Sequence, residues 1–175
     1  MRNGKNAATK ENGMQKIQKI LCALDLTEFT PEVADYAVAV AKAFDAEILV
    51  IHVTPPLTQY AAFEVQPQAL ELFVDEVSAE AGKTMQEVVA EHFPGVNAKG
   101  RVIIGYPSEE IIKTANAEDV DLIIMGTHGR QGVDLIIMGT HGRQGVDLLI
   151  FGSVADKVVK NAEMPVITVR PPAEK

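Results

Sequence analysis

Two hydrophobic periods alternate along this chain. Lys19-Ile20-Leu21-Cys22-Ala23-Leu24 and Glu47-Ile48-Leu49-Val50-Ile51-His52-Val53 are short, almost unbroken apolar runs. Such runs predict strands covered on both faces. Between them, Val33, Ala37, Val40, Ala41 and Phe44 recur at helical spacing, with Thr30 as predicted N-cap and Pro31 at the first helical position. Leu70, Phe73, Val77, Ala81, Met85, Val88 and Val89 predict a long helix over residues 68–92, ended by Pro94-Gly95. A third strand follows at Ala98–Ile104, and Pro107 opens a helix with Ile111, Ile112 and Ala115 facing inward. Val-Asp-Leu-Ile-Ile-Met-Gly supplies strand four, residues 152–163 a last helix, and Pro165–Val169 a fifth strand. This order predicts an α/β fold: an open five-stranded parallel sheet with helices on both faces and right-handed crossovers. Ligands of such sheets sit beyond the carboxyl ends of the strands, where strand order reverses. Asp25 and the glycine turn after strand four both stand at such ends.

The strand-four pattern is written twice. VDLIIMGTHGRQG occupies residues 120–132 and again 133–145, and a partial echo, VDLLIFGS, fills 146–153. A 13-residue unit is too short for a repeat architecture, whose units run to about 20–50 residues. In the second copy, Gly139-Thr140-His141-Gly142 precedes Gly152-Ser153 by nine residues. The two glycines permit a tight turn and a close backbone approach. Gly152-Ser153 then opens a helix whose free N–H groups and dipole favour an anion. Gly126, Gly129 and Gly139-Thr140 repeat that spacing, but the His-Gly-Arg-Gln-Gly that follows is a poor helix. Val133–Gly139 is therefore predicted as strand four, with Gly142 in the working loop and the first copy as an insert before it. In the alternative register Val120–Gly126 is the strand and the loop carries the 13 extra residues. Because either copy suits the strand position, the two registers can coexist.

Composition narrows the function. The chain has 175 residues, 47% of them apolar, and a net charge of −8. That suits one soluble domain over residues 16–171, with tails at 1–15 and 172–175, the first of them polar and predicted to be disordered. The acidic balance argues against nucleic acid and anionic membrane as partners. No apolar run approaches the ~18 residues of a membrane span. The one cysteine, Cys22, lies in a strand pattern and is expected in the core; its solitude suits a reducing cytoplasm.

Taken together, Lys19-Ile20-Leu21 with Asp25, Ile51-His52-Val53, Gly105-Tyr106-Pro107, and Met-Gly-Thr-His-Gly with Gly152-Ser153-Val154-Ala155 resemble the universal stress protein family. The resemblance spans Lys16 to Pro171. The glycine spacing is similar to that of its ATP-binding branch. It implies an adenine nucleotide alpha-hydrolase-like, Rossmann-like fold with strand order 3-2-1-4-5, binding ATP, with or without Mg, at the ends of strands one and four. By that resemblance Asp25 lies near the ribose or adenine, Ala23 and Leu24 meet the adenine through their backbone, and Val53 packs beside it. Met138 and Gly139 line the nucleotide, while Gly142, Gly152, Ser153 and Val154 hold phosphate. Met125, Gly126, Gly129 and Arg130 take the corresponding places in the other register. The family further implies a homodimer joined through Pro165–Val169. One departure is Asp25-Leu26-Thr27, where many members carry Asp-Gly-Ser or a similar small-residue turn.

Other candidates carry less. His128 and His141 lack acidic or cysteine partners at ligand spacing, so no metal is expected. Arg130 and Arg143 suit phosphate or solvent equally, and His52 reads as a core histidine. No Gly-Lys-Ser/Thr loop and no Ser/His/Asp arrangement is present. The expectation is a cytoplasmic ATP-binding module of stress response or signalling, at most a weak ATPase. The competing readings are a slow ATPase or nucleotide-dependent transferase on the same fold, and a non-binding dimeric interaction protein whose phosphate loop the duplication has broken.

Overall fold

The computed structural model describes residues 16–54, 56, 67–127, 135–138 and 153–169. Six strands and four helices follow in the order β1 (Lys19–Ala23), α1 (Thr30–Phe44), β2 (Glu47–Thr54), α2 (Pro67–His92), β3 (Ala98–Ile104), α3 (Pro107–Ala117), β4 (Leu122–Gly126), β5 (Leu135–Met138), α4 (Ser153–Asn161) and β6 (Val166–Val169). Five strands are parallel and lie in the expected order, β3-β2-β1-β4-β6. In sequence terms this is 3-2-1-4-5. The reversal falls at β1, which pairs β2 on one side and β4 on the other.

Both faces of the sheet are covered, which explains the continuous apolar runs. Alternate residues of β1 point to opposite layers: Ile20 and Cys22 join the core beneath α1 and α2, and Leu21 joins the core beneath α3 and α4. Cys22 is fully buried, and burial pushes its thiol up to about 12, so it is an inert core group. At Gly100 in β3, an added Cβ would meet Met85 of α2 at 2.5 Å. Only glycine lets α2 lie that close.

Two details depart from the sequence reading. Thr30 is the first residue of α1 rather than its cap; Phe29 takes that position and the buried Thr30 hydroxyl has no hydrogen-bond partner. More consequentially, the strand between β1 and β6 is Leu122–Gly126, from the first copy, and not Val133–Gly139. The second copy supplies β5, which pairs antiparallel along the outer side of β6, from Leu135 opposite Val169 to Met138 opposite Val166. The physical reason is that an open sheet offers a second place for a surplus apolar strand. Pairing there gives the second copy's backbone a ladder of its own. The β6 edge expected to meet a second copy of the chain is thereby paired with the chain's own β5.

At the amino ends of the strands, charge ties the layers together. The Asp121 carboxylate accepts the backbone N–H groups of Gln18 (2.8 Å) and Lys19 (3.0 Å). Arg101 pairs with Glu118 at 2.8 Å, and Lys19 reaches Glu118 at 3.4 Å and Glu47 at 3.3 Å. Arg101, and after it Lys19, hold the Glu118 carboxyl below the ordinary value of 4.5. A depressed folded-state pKa means stability that is complete above the unfolded value and lost as pH falls through the folded one. Glu118→Gln will therefore lower the melting temperature near neutrality by a small amount, since the pair is exposed. The gap to the parent chain will close as pH drops below 4.5, as thermal unfolding across that range will register.

Candidate nucleotide cleft

At the opposite end of the sheet, β1, β2 and β4 finish side by side. Two clefts share the end of β1, one on each face. Ala23, Leu24 and Asp25 border both. The smaller lies on the α1 side, about 40 Å³, between Phe29, Val33, Gly126 and Thr127. The larger lies on the α3 and α4 side and has a volume of about 220 Å³. Ile51, His52 and Val53 of β2, Met125 of β4, Pro107 and Ile111 of α3, and Val154 and Ala155 of α4 form its walls. Its largely apolar lining, with a few polar groups at the rim, suits a small organic ligand.

The rim is shaped by local hydrogen bonds. Leu24 donates its N–H to the Ile51 carbonyl at 2.9 Å, and its own carbonyl lies 2.9 Å from His52 Nδ1. A carbonyl only accepts, so Nδ1 carries a proton, and the neutral ring then presents Nε2 as an acceptor. His52 is thus hydrogen-bonded, as the sequence suggested, yet it stands on the cleft wall and not within the core. Asp25 closes a turn: its Oδ1 accepts the Thr27 hydroxyl (2.8 Å) and the Thr27 N–H (3.2 Å). The intervening Leu26 has φ 58°. This is the left-handed region, which costs a non-glycine residue about 1–2 kcal/mol. Packing of the Leu26 side chain against the core beneath α1 offsets part of that cost. The small-residue turn expected by resemblance is therefore replaced by a strained one of the same direction.

Of the residues singled out in sequence, Ala23, Leu24, Asp25, Val53, Met125 and Val154 meet in the larger cleft. Met138 does not. It lies on β5, separated from β1 by β4 and β6, about 14 Å away at ordinary strand spacing. Met125, its counterpart in the first copy, stands where Met138 was expected. Gly126 borders the smaller cleft, and Ser153 begins α4. Gly129, Arg130, Gly139, Gly142, Arg143 and Gly152 lie outside the described residues, as do His128 and His141. Leu24 has its N–H committed to β2, which removes that donor from any adenine contact. Ile51, Ile111 and Ala155 are wall residues that the sequence reading placed in their elements without giving them a part in the site. Among the described residues no group of three or more His, Cys, Asp or Glu side chains is placed to hold a metal ion. No described helix is long and apolar enough to cross a membrane.

The profile of the universal stress protein family matches residues 16–133 and, in a second segment, 130–170. The chain belongs to the universal stress protein family. The match breaks where the copies adjoin, as expected for a member carrying one surplus unit. Universal stress protein MJ0531 of Methanocaldococcus jannaschii is 31% identical over 163 residues, 92% of this chain and 86% of its own length. A solved structure of MJ0577, from the same organism, has a TM-score of 0.64 at 26% identity and covers 91% of this chain and 100% of that one. The fold is also shared by a universal stress protein from Archaeoglobus fulgidus solved in complex with dAMP, with a TM-score of 0.58, 19% identity, and coverage of 89% and 99%.

Proposed function

We propose that this family member binds ATP in the larger cleft, at the carboxyl ends of β1 and β4, as a cytoplasmic module of stress response or signalling. One observation carries the reading: Ala23, Asp25, Val53, Met125 and Val154, drawn from four separate elements, converge on a single, largely apolar cleft. The dAMP complex of the A. fulgidus protein, which shares the fold, supports an adenine nucleotide as the ligand class. Val53 and Met125 offer flat apolar contact for a base, and Asp25 stands at the rim where a ribose hydroxyl would need an acceptor. The first turn of α4, at Ser153 and Val154, would offer phosphate the N–H groups that a helix start leaves without intrahelical partners. In this reading the glycines outside the described residues complete the phosphate loop. Mg accompanies the triphosphate without a cluster of protein ligands of its own among the described residues. The sequence has no Gly-x4-Gly-Lys-Ser/Thr loop to place a lysine at the γ-phosphate, which favours retention of the nucleotide over turnover.

Calorimetric titration with ATP and with AMP tests this. Saturable binding of one adenine nucleotide per chain, with no phosphate release above a blank over hours, is the expected result. Failure of both nucleotides to bind would overturn it.

A further inference from the structure

The two copies occupy neighbouring places in one sheet, on either side of the same strand. β6 carries Leu122–Gly126 along its inner edge, parallel, and Leu135–Met138 along its outer edge, antiparallel. We infer that the copies exchange: the fourth sheet position takes either residues 122–125 or residues 135–138.

Every contact that fixes β4 has an identical substitute. Leu122, Ile123, Ile124 and Met125 are buried in the two cores, and Leu135, Ile136, Ile137 and Met138 are the same residues in the same order. Asp121 caps the amino end of β1 through the N–H groups of Gln18 and Lys19; Asp134 is its twin. Val120, buried and bonded through its N–H to the Ala115 carbonyl, has Val133. What differs lies outside the strand. The observed register gains the antiparallel ladder of β5 on β6. The other register lengthens the connection after α3 by 13 residues, at a closure cost that grows only logarithmically with length.

A lysine marks and disables either copy. Ile124→Lys places a charge in the fully buried centre of β4, and Ile137→Lys places it at the equivalent point of β5. The substitution also makes the otherwise identical peptides distinguishable by mass, so hydrogen exchange reads each copy separately without ligand. The expected result is that Ile124→Lys stays folded, with residues 135–138 now the slowly exchanging copy. Ile137→Lys should keep the protection on residues 122–125, and the double variant should lose its cooperative transition. Protection that remains on residues 122–125 in Ile124→Lys, or vanishes from both copies, overturns the exchange.

Discussion

Deleting Val133–Gly145 will turn a monomer into a dimer and tighten the hold on adenine nucleotides. In the intact chain, β5 pairs with the outer N–H and C=O groups of β6. Without it those groups form an unpaired edge along Val166–Val169, whose side chains are all buried in the intact fold. An apolar edge of this kind recruits another strand, and a second copy of the same edge meets it across a two-fold axis. Sedimentation will show the shift in mass, while the intact, nucleotide-free chain stays monomeric. The deletion also leaves Gly126, Gly129 and Gly152-Ser153 at the family spacing, with 13 residues rather than 26 between Gly126 and Ser153. Halving a connecting loop lowers its closure cost by about 0.6 kcal/mol, or nearly threefold in affinity, before any gain from a completed phosphate site. A deletion variant that stays monomeric, or an intact chain already dimeric without nucleotide, would contradict the capping role given to β5.

Val53→Trp will abolish nucleotide binding without unfolding the chain. Val53 ends β2 on the wall of the larger cleft, beside Met125 and Val154. An indole there fills the space a base would take. Overpacking costs about 1–3 kcal/mol, which the mouth of the cleft, open to solvent, will reduce. A loss of affinity of at least about tenfold, or 1.4 kcal/mol, is expected by calorimetry with a cooperative unfolding transition retained. Unaltered affinity would place the nucleotide elsewhere.

Much of the architecture was legible because burial on both faces leaves a plain signature. β3 was read at its observed limits, Ala98–Ile104, and β1 within one residue. Asp25 was picked out because it follows strand one, where topology alone puts ligands, and Val53 by resemblance to the family; both border the larger cleft. The register of the duplication was not legible from helix quality downstream. That criterion asked which copy best precedes α4 and ignored the outer edge of β6, where the other copy also finds a partner. Met138 was misplaced for that reason and Met125 stands in its stead. The strain at Leu26 was hidden as well, since a left-handed φ on a leucine has no sequence signal until the loop around it is known.

The two rims of the sheet are not equally defended. β3 carries Lys99 and Arg101, charges that discourage a stray strand from docking. The rim formed by Leu135–Met138 carries none. A closed barrel that gained a strand would have to break its circle; this sheet simply grew wider, and its new border is its stickiest one. A lysine written into that border would give it the defence that Lys99 and Arg101 give the other.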